Sequence, residues 1–378
     1  MTRRMAQARN TRLVSHLDVP GGGQVWVEDN TLLVGHMSNP HGTSLFDVSD
    51  PRNPRLRATI PMPEGWHSHK VRAAGGIMIV NHERTGDASL EFGGGLGIYD
   101  IADPSKPRLL TKWKTAGKGV HRYSFDGRYA YISPTVEGYV GNIVMILDLA
   151  DPTRPEEVGR WWIPGQRKAG GEDYPWTAFR EPRCHHPLRL NNRLYVSYWH
   201  HGIFILDISD ISRPALVSQG VKSRAFPHPT HTCLPIPGKL KGRSVMIVAD
   251  EDVSKLAPSA PAFTWMYDIT DEAVPIPIST FQVQGVDEDG SPAPTMTGCH
   301  QPSERFRGRV IPFAWFAQGL RLIDVSDPFR MTEVGYYVPD VPEGCERVSS
   351  NDVTIDARGL IYLVDRQRGI DVIESDAM

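Results

Sequence analysis

Apolar residues along this chain come in short runs that alternate with polar ones or continue unbroken. Each run stops at an aspartate, usually with a proline close behind. One phrase recurs seven times: SLFDVSDPRNP from Ser44, LGIYDIADPSKP from Leu96, VMILDLADPTRP from Val144, IFILDISDISRP from Ile203, TWMYDITDEAVP from Thr264, LRLIDVSDPFRM from Leu320 and a truncated IDVIESD from Ile370. Such a run is a buried strand entering a tight turn. Helical periodicity is nowhere sustained, so long helices are not expected. Between copies a short strand such as RLRATIPM or EEVGRWWIP follows the turn, then a Gly- or Pro-rich loop, then two more strands, as in HRYSFDG and RYAYIS.

Four short strands in a unit of roughly 54 residues make one blade of a β-propeller. Closing the units into a ring removes the edges that a linear stack would expose. The chain therefore reads as all-β: a seven-bladed propeller with four antiparallel strands per blade, spanning 1–378 as one domain. The last unit ends after its third strand, Ile370–Glu374, while TRLVSHLDVP at 11–20 reads like a fourth strand with no unit before it. The N-terminal strand is expected to complete the last blade. The recurring phrase resembles the LVIVD-repeat family, named for such a strand, and the resemblance covers nearly the whole chain. It implies a propeller and leaves function open, because propellers host many unrelated activities.

Superposing the units exposes one column at the start of each first strand: Gln24, His69, His121, His186, His231, His300 and Asn351. With 14 histidines in 378 residues, five in seven aligned positions need a reason. The innermost strand of a propeller blade lines the central channel, so these imidazoles would converge near one mouth. Neutral imidazole nitrogens suit a transition metal held at about 2.0–2.2 Å. The metal candidates are thus His69, His121, His186, His231 and His300; the bland reading is a hydrogen-bonded ring around channel water. The histidine arrangement, and it alone, is similar to that of the metal-binding propellers of the carotenoid-cleavage-oxygenase and selenium-binding-protein/methanethiol-oxidase type. This chain is shorter than either and does not match their motifs. The resemblance implies one transition metal ion, Fe(II) first, then Cu, Mn or Zn.

Loops from second to third strand emerge at the same mouth. They offer Glu83 and Glu251 as proton acceptors or as partners for a ligating imidazole's second nitrogen, with His82 and Tyr198 as further catalytic candidates. Trp66, Trp176, Phe179, Trp199 and Trp315 would wall a small apolar or aromatic substrate, and Arg122, Lys70 and Arg183 could hold a carboxylate or phenolate. Long segments at 166–184 and 284–299 exceed what a blade junction needs and read as lids or binding loops. Cys184, Cys233, Cys299 and Cys345 contain no CxxC pair and read as small buried residues.

Composition closes off other classes. Net charge is −3 from 41 basic and 44 acidic residues, which gives no field for nucleic acid. No apolar run spans a bilayer, and Met1–Arg12 lacks the apolar stretch of a secretory signal; four cysteines point to the cytoplasm. No phosphate-binding loop or dinucleotide fingerprint occurs in a usable setting, so no nucleotide cofactor is expected. Three functions stay open: a metal-dependent enzyme, oxidative first, with a lyase, hydratase or hydrolase as the alternative; a non-enzymatic binding module; and metal storage or sensing.

Overall fold

A computed structural model describes residues 6–87, 89, 91–175, 181–220, 228–253, 262–283 and 298–378. Seven antiparallel sheets stand in a ring, and the only helical turn among the described residues is the short 3-10 turn Lys168–Gly170. No described helix is long and apolar enough to cross a membrane. The inner strands are Gly22–Glu28, Val71–Ala74, Val120–Phe125, His186–Leu190, Thr230–Pro235, Gln301–Pro302 and Ser350–Ile355. The third strands are the recurring phrase itself, from His41–Asp47 to Gly369–Ser375. Their apolar side chains are buried on both faces, one face toward each neighbouring blade, which is why these runs are continuous rather than alternating.

The aspartates of the phrase have a physical reason. In six blades the strand-ending Asp accepts the amide N–H two residues on: Asp47 from Ser49, Asp100 from Ala102, Asp148 from Ala150, Asp207 from Ser209, Asp268 from Thr270 and Asp324 from Ser326. Three residues later a second Asp repeats the bond, as Asp50 does with Arg52 and Asp151 with Thr153. These two successive side-chain turns reverse the chain. A bulge then recurs in every pairing of third with fourth strand, for example between Ile146 and Leu147 and between Ile205 and Leu206. Each bulge adds twist to the outer edge of its blade.

Ring closure follows the expectation. Thr11–Leu17 pairs antiparallel with Gly369–Ser375, Thr11 opposite Ser375 and Leu17 opposite Ile370. One feature was not foreseen: Gln7–Arg9 adds a fifth strand to the sixth blade, pairing with Thr332–Val338.

A candidate metal centre at one mouth of the channel

Bulges also mark the inner strands, at the height of the histidine column. Register slips between Val120 and Tyr123, Thr230 and Thr232, Ser350 and Asp352, and Gly22 and Val25. A bulge lets two consecutive side chains face the same side, so His121 and Arg122 both reach the axis. The re-aimed amides are held by polar side chains of the second strand: Lys70 N–H donates to Asn81, Arg122 N–H to Ser133 and His186 N–H to Ser197.

The result is a chain of imidazoles around the mouth. Ring centroids are 5.0 Å apart from His69 to His121, 4.8 Å from His121 to His185, 4.4 Å from His185 to His231 and 4.3 Å from His231 to His300. In the fourth blade the member is His185. His186, the residue placed in the column from sequence, is one position deeper and fully buried, with its Nε2 3.4 Å from the Lys70 Nζ and 3.3 Å from Glu304. In the first blade Gly23 fills the ring position, against His69. Gln24 lies in the layer below, donating to Gln301. The aligned register was one residue late in these two blades. Asn351 closes the seventh position, donating its amide to the Gly23 carbonyl.

Outer partners orient the imidazoles. The His121 Nδ1 lies 2.8 Å from Glu83, that of His185 2.8 Å from the His231 carbonyl and that of His231 2.7 Å from the Thr232 hydroxyl, while the His300 Nδ1 donates to the Asn351 carbonyl. Nδ1–H donation to a carboxylate or carbonyl leaves the Nε2 lone pair pointing inward, as metal-ligating histidines require. Fully buried, the Nε2 atoms of His69 and His231 have no protein partner. The Nε2 atoms of His121 and His185 are 3.1 Å apart. Two nitrogens bound at right angles to one metal, each at about 2.1 Å, would be about 3.0 Å apart. Burial first, then neighbouring positive charge, holds the imidazoles of His69, His121, His185, His231 and His300 well below their ordinary pKa, so they are neutral. Two groups, His67–His69–Glu83 and His185–His231–Glu251, bring their donor atoms within 4.8 Å of one another and could each hold a metal ion.

Both sequence-selected carboxylates are at this ring. Glu83 accepts from His67 at 2.8 Å as well as from His121. Burial alone would raise its carboxyl, but the His67 hydrogen bond and the nearby positive charge of Arg183 bring it below the usual range. Glu251 lies 3.9 Å from the His231 Nε2 and 3.8 Å from the His300 Nε2, and burial pushes its carboxyl up. Arg122 and Trp199 line the same pocket, which encloses about 260 Å³ together with Met37, Arg183, Val253 and Arg366.

The other candidates are elsewhere. Strand alternation turns His82 away from Glu83's side, onto Phe92 at 4.9 Å, and burial lowers its pKa to about 3. Tyr198 is buried between blades beside Trp161 and Phe204, its hydroxyl donating to Gln166. Trp66 packs on Phe92 and donates to the Ser89 carbonyl, and Trp315 sits in a core with Phe281 and Phe313. Trp176, Phe179 and most of the segment 284–299 lie outside the described residues. Cys184, Cys233 and Cys299 are buried small residues of the blade cores, and burial raises the thiols of Cys184 and Cys299.

Sequence reading missed His67 and His185, while Arg366 was placed at this mouth on the second-to-third-strand loop of the seventh blade. The doublets His67–Ser68–His69 and His185–His186 were the available signal, since a bulge can bring either neighbour to the axis.

A family model supports the repeats independently, matching the LVIVD repeat at residues 91–115, 123–162, 191–219 and 313–338. The chain carries LVIVD repeats. Similar solved structures share the architecture at low identity. The computationally designed Ika8 protein is 7% identical, covers 95% of this chain and 98% of its own, and superposes with a TM-score of 0.55. Sqt1 of Saccharomyces cerevisiae is 10% identical over 95% of this chain and 86% of its own, with a TM-score of 0.55. A chain of the S. cerevisiae complex of Dbp5 with Nup159, Gle1, IP6 and ADP is 10% identical over 96% and 94%, with a TM-score of 0.56. At such identities the likeness is one of fold. No curated protein sequence matches the chain.

Proposed function

We propose that this LVIVD-repeat propeller is a metal-dependent enzyme. One transition metal ion, Fe(II) foremost, would be held by histidines of the mouth ring, and the substrate is a small molecule with an apolar or aromatic body. The carrying observation is the fully buried, unpartnered Nε2 of His231 within a ring whose Nδ1 atoms at His121, His185 and His300 are engaged outward. Leaving such atoms unsatisfied is costly, and a generic binding module has no use for them. His69, His121, His185, His231 and His300 are the donors, with His67 beside His69 at 3.1 Å between nitrogens; His186 is assigned to the layer beneath. When bound, the metal supplies a Lewis acid and, if redox-active, an electron exchange partner. Glu83 fixes His121 in the tautomer whose Nε2 faces inward and holds His67 by its Nε2. Trp199 and Val253 line the pocket and limit water beside the ring, which strengthens the charge interactions there.

Oxidation is the first reading. A second, proton-transfer chemistry of the lyase, hydratase or hydrolase kind, is favoured by Glu251. Its carboxyl is raised by burial and stands against the inner nitrogens of His231 and His300, a placement suited to giving or taking a substrate proton.

The test is elemental analysis of purified and reconstituted protein beside His121→Ala/His185→Ala and, as comparison, His186→Gln. Metal at one ion per chain in wild type and His186→Gln, lost in the double variant, supports the centre. Wild-type protein that takes up no metal on reconstitution refutes it. Retention in the double variant moves the site elsewhere.

A further inference from the structure

Arg183 and Arg366 flank the pocket mouth in matching sandwiches. In the fourth blade the Arg183 guanidinium lies 5.0 Å from the Trp199 ring centre, and Trp199 lies on His185 at 4.7 Å and 32°. In the sixth and seventh blades Arg366 lies 5.3 Å from the Phe316 ring, and Phe316 lies on His300 at 4.6 Å and 33°. Both aromatic residues hold a left-handed backbone, φ 49° at Trp199 and 22° at Phe316, which bulky side chains rarely adopt. Each is locked by a bond to the next blade: Thr230 N–H donates to the Trp199 carbonyl at 3.0 Å and Ser350 N–H to that of Phe316 at 2.9 Å. The same strained device thus occurs twice, each time placing an aromatic plate between a ring histidine and an arginine.

Among the described residues neither arginine forms an ion pair. Arg366 spends its Nε on the Asn351 side-chain oxygen at 2.7 Å, leaving both terminal nitrogens. Arg122, only 4% exposed, gives its Nη1 to the neutral Gln301 amide, and its buried Nε has no partner. The two carboxylates at hand are directed at imidazoles. Glu83 is engaged by His67 and His121, and Glu251 stands against His231 and His300. These carboxylates, with Glu304 and Asp352 below, act on the guanidiniums through charge alone, so a neutral molecule seated here would cover the terminal N–H groups of Arg183 and Arg366 without giving them an acceptor. A planar guanidinium resting on an aromatic face keeps its N–H edge free for a carboxylate. The pocket volume of about 260 Å³ limits the guest to a small molecule.

We propose that the substrate is a small organic carboxylate, its anionic group clamped between Arg183 and Arg366 above the Arg122 floor and its apolar body against Met37, Trp199 and Val253. The inference rests on reading this pocket as a substrate site, and the experiment separates it from the metal assignment. Benzoate and its neutral counterpart benzamide are titrated by calorimetry and tryptophan fluorescence against metal-loaded and chelator-treated protein. The variants are Arg183→Gln, Arg366→Gln and both together, with Arg128→Gln on the outer surface as control. Benzoate is expected to bind at least tenfold more tightly than benzamide, each single variant to weaken it about tenfold and the pair about a hundredfold, with unfolding midpoints unchanged. Equal binding of the two probes, a double variant within twofold of wild type, or no benzoate binding in either metal state overturns the clamp. An arginine-dependent preference in protein that takes up no metal upholds the clamp and removes the metal reading. One bound metal without the preference removes the clamp alone.

Discussion

Glu304→Gln should unfold this propeller early, and the size of the effect follows from the layer beneath the histidine ring. Lys70, fully buried, lies 2.8 Å from Glu304. Arg72, 3% exposed, donates to both Glu304 oxygens, one of them at 3.2 Å. Gln301 donates to the same carboxylate at 3.2 Å. With Arg122, three buried cations share two anions, Glu304 and Asp352. An amide at 304 keeps the shape and removes one anion, leaving the desolvated Lys70, Arg72 and Arg122 with Asp352 alone. Breaking a buried pair from one side costs about 3–5 kcal/mol, and a chain of this length loses roughly 5 °C of melting temperature for a cost of about 4 kcal/mol. Adding Lys70→Met removes one cation as well and restores the original balance of charge, so the double variant should recover at least half of the loss. Urea unfolding followed by tryptophan fluorescence reads both. A single variant costing under about 1 kcal/mol, or a double variant worse than the single, would refute the claim that charge compensation holds this layer.

Other consequences are equally measurable. Glu83→Gln keeps the side-chain shape but weakens the orientation of His67 and His121, so metal affinity by competition with a chelator should fall about 10–100-fold while the fold survives. Removing residues 1–17 strips the outer strand from Gly369–Ser375 and bares its edge; a large fall in melting temperature and new oligomers in light scattering are expected. Burial lowers the pKa of His36 to about 4 and that of His82 to about 3. Unfolded imidazoles titrate near 6.5, so unfolding takes up protons below that value. Stability is full above pH 6.5 and is lost as pH falls through 6.5 toward 4, and His82→Gln should flatten that slope in urea midpoints read across the range.

The architecture was legible because each blade writes its own boundaries. The paired aspartates are local hydrogen-bond acceptors, so the turn they make is visible in a dozen residues of sequence, and the seven copies then imply the ring. The histidine column was legible for the same reason, down to Glu83 and Glu251. Its register at His185 was not, because His185 stands one residue ahead of its strand, His186–Leu190, and the pattern of apolar positions does not fix the residue on which a strand begins. Tyr198 and Trp315 sit beside Trp199 and Phe316 in equivalent turns, and only backbone handedness decides which of the two aromatics enters the core. Glu304 escaped notice altogether, since its partners Lys70 and Arg72 are more than 230 residues away and meet it only once the ring exists. Such distant pairing leaves no local trace.

The borrowed outer strand of the last blade bears on how the chain is made. A ribosome delivers Thr11–Leu17 before all seven inner strands and long before its partner Gly369–Ser375, so that strand waits with its hydrogen-bonding edge unanswered. Intermediate blades can assemble in order as they emerge, each on its predecessor. The seventh comes in two instalments, so the channel is completed only once Gly369–Ser375 has emerged and met the strand made long before it.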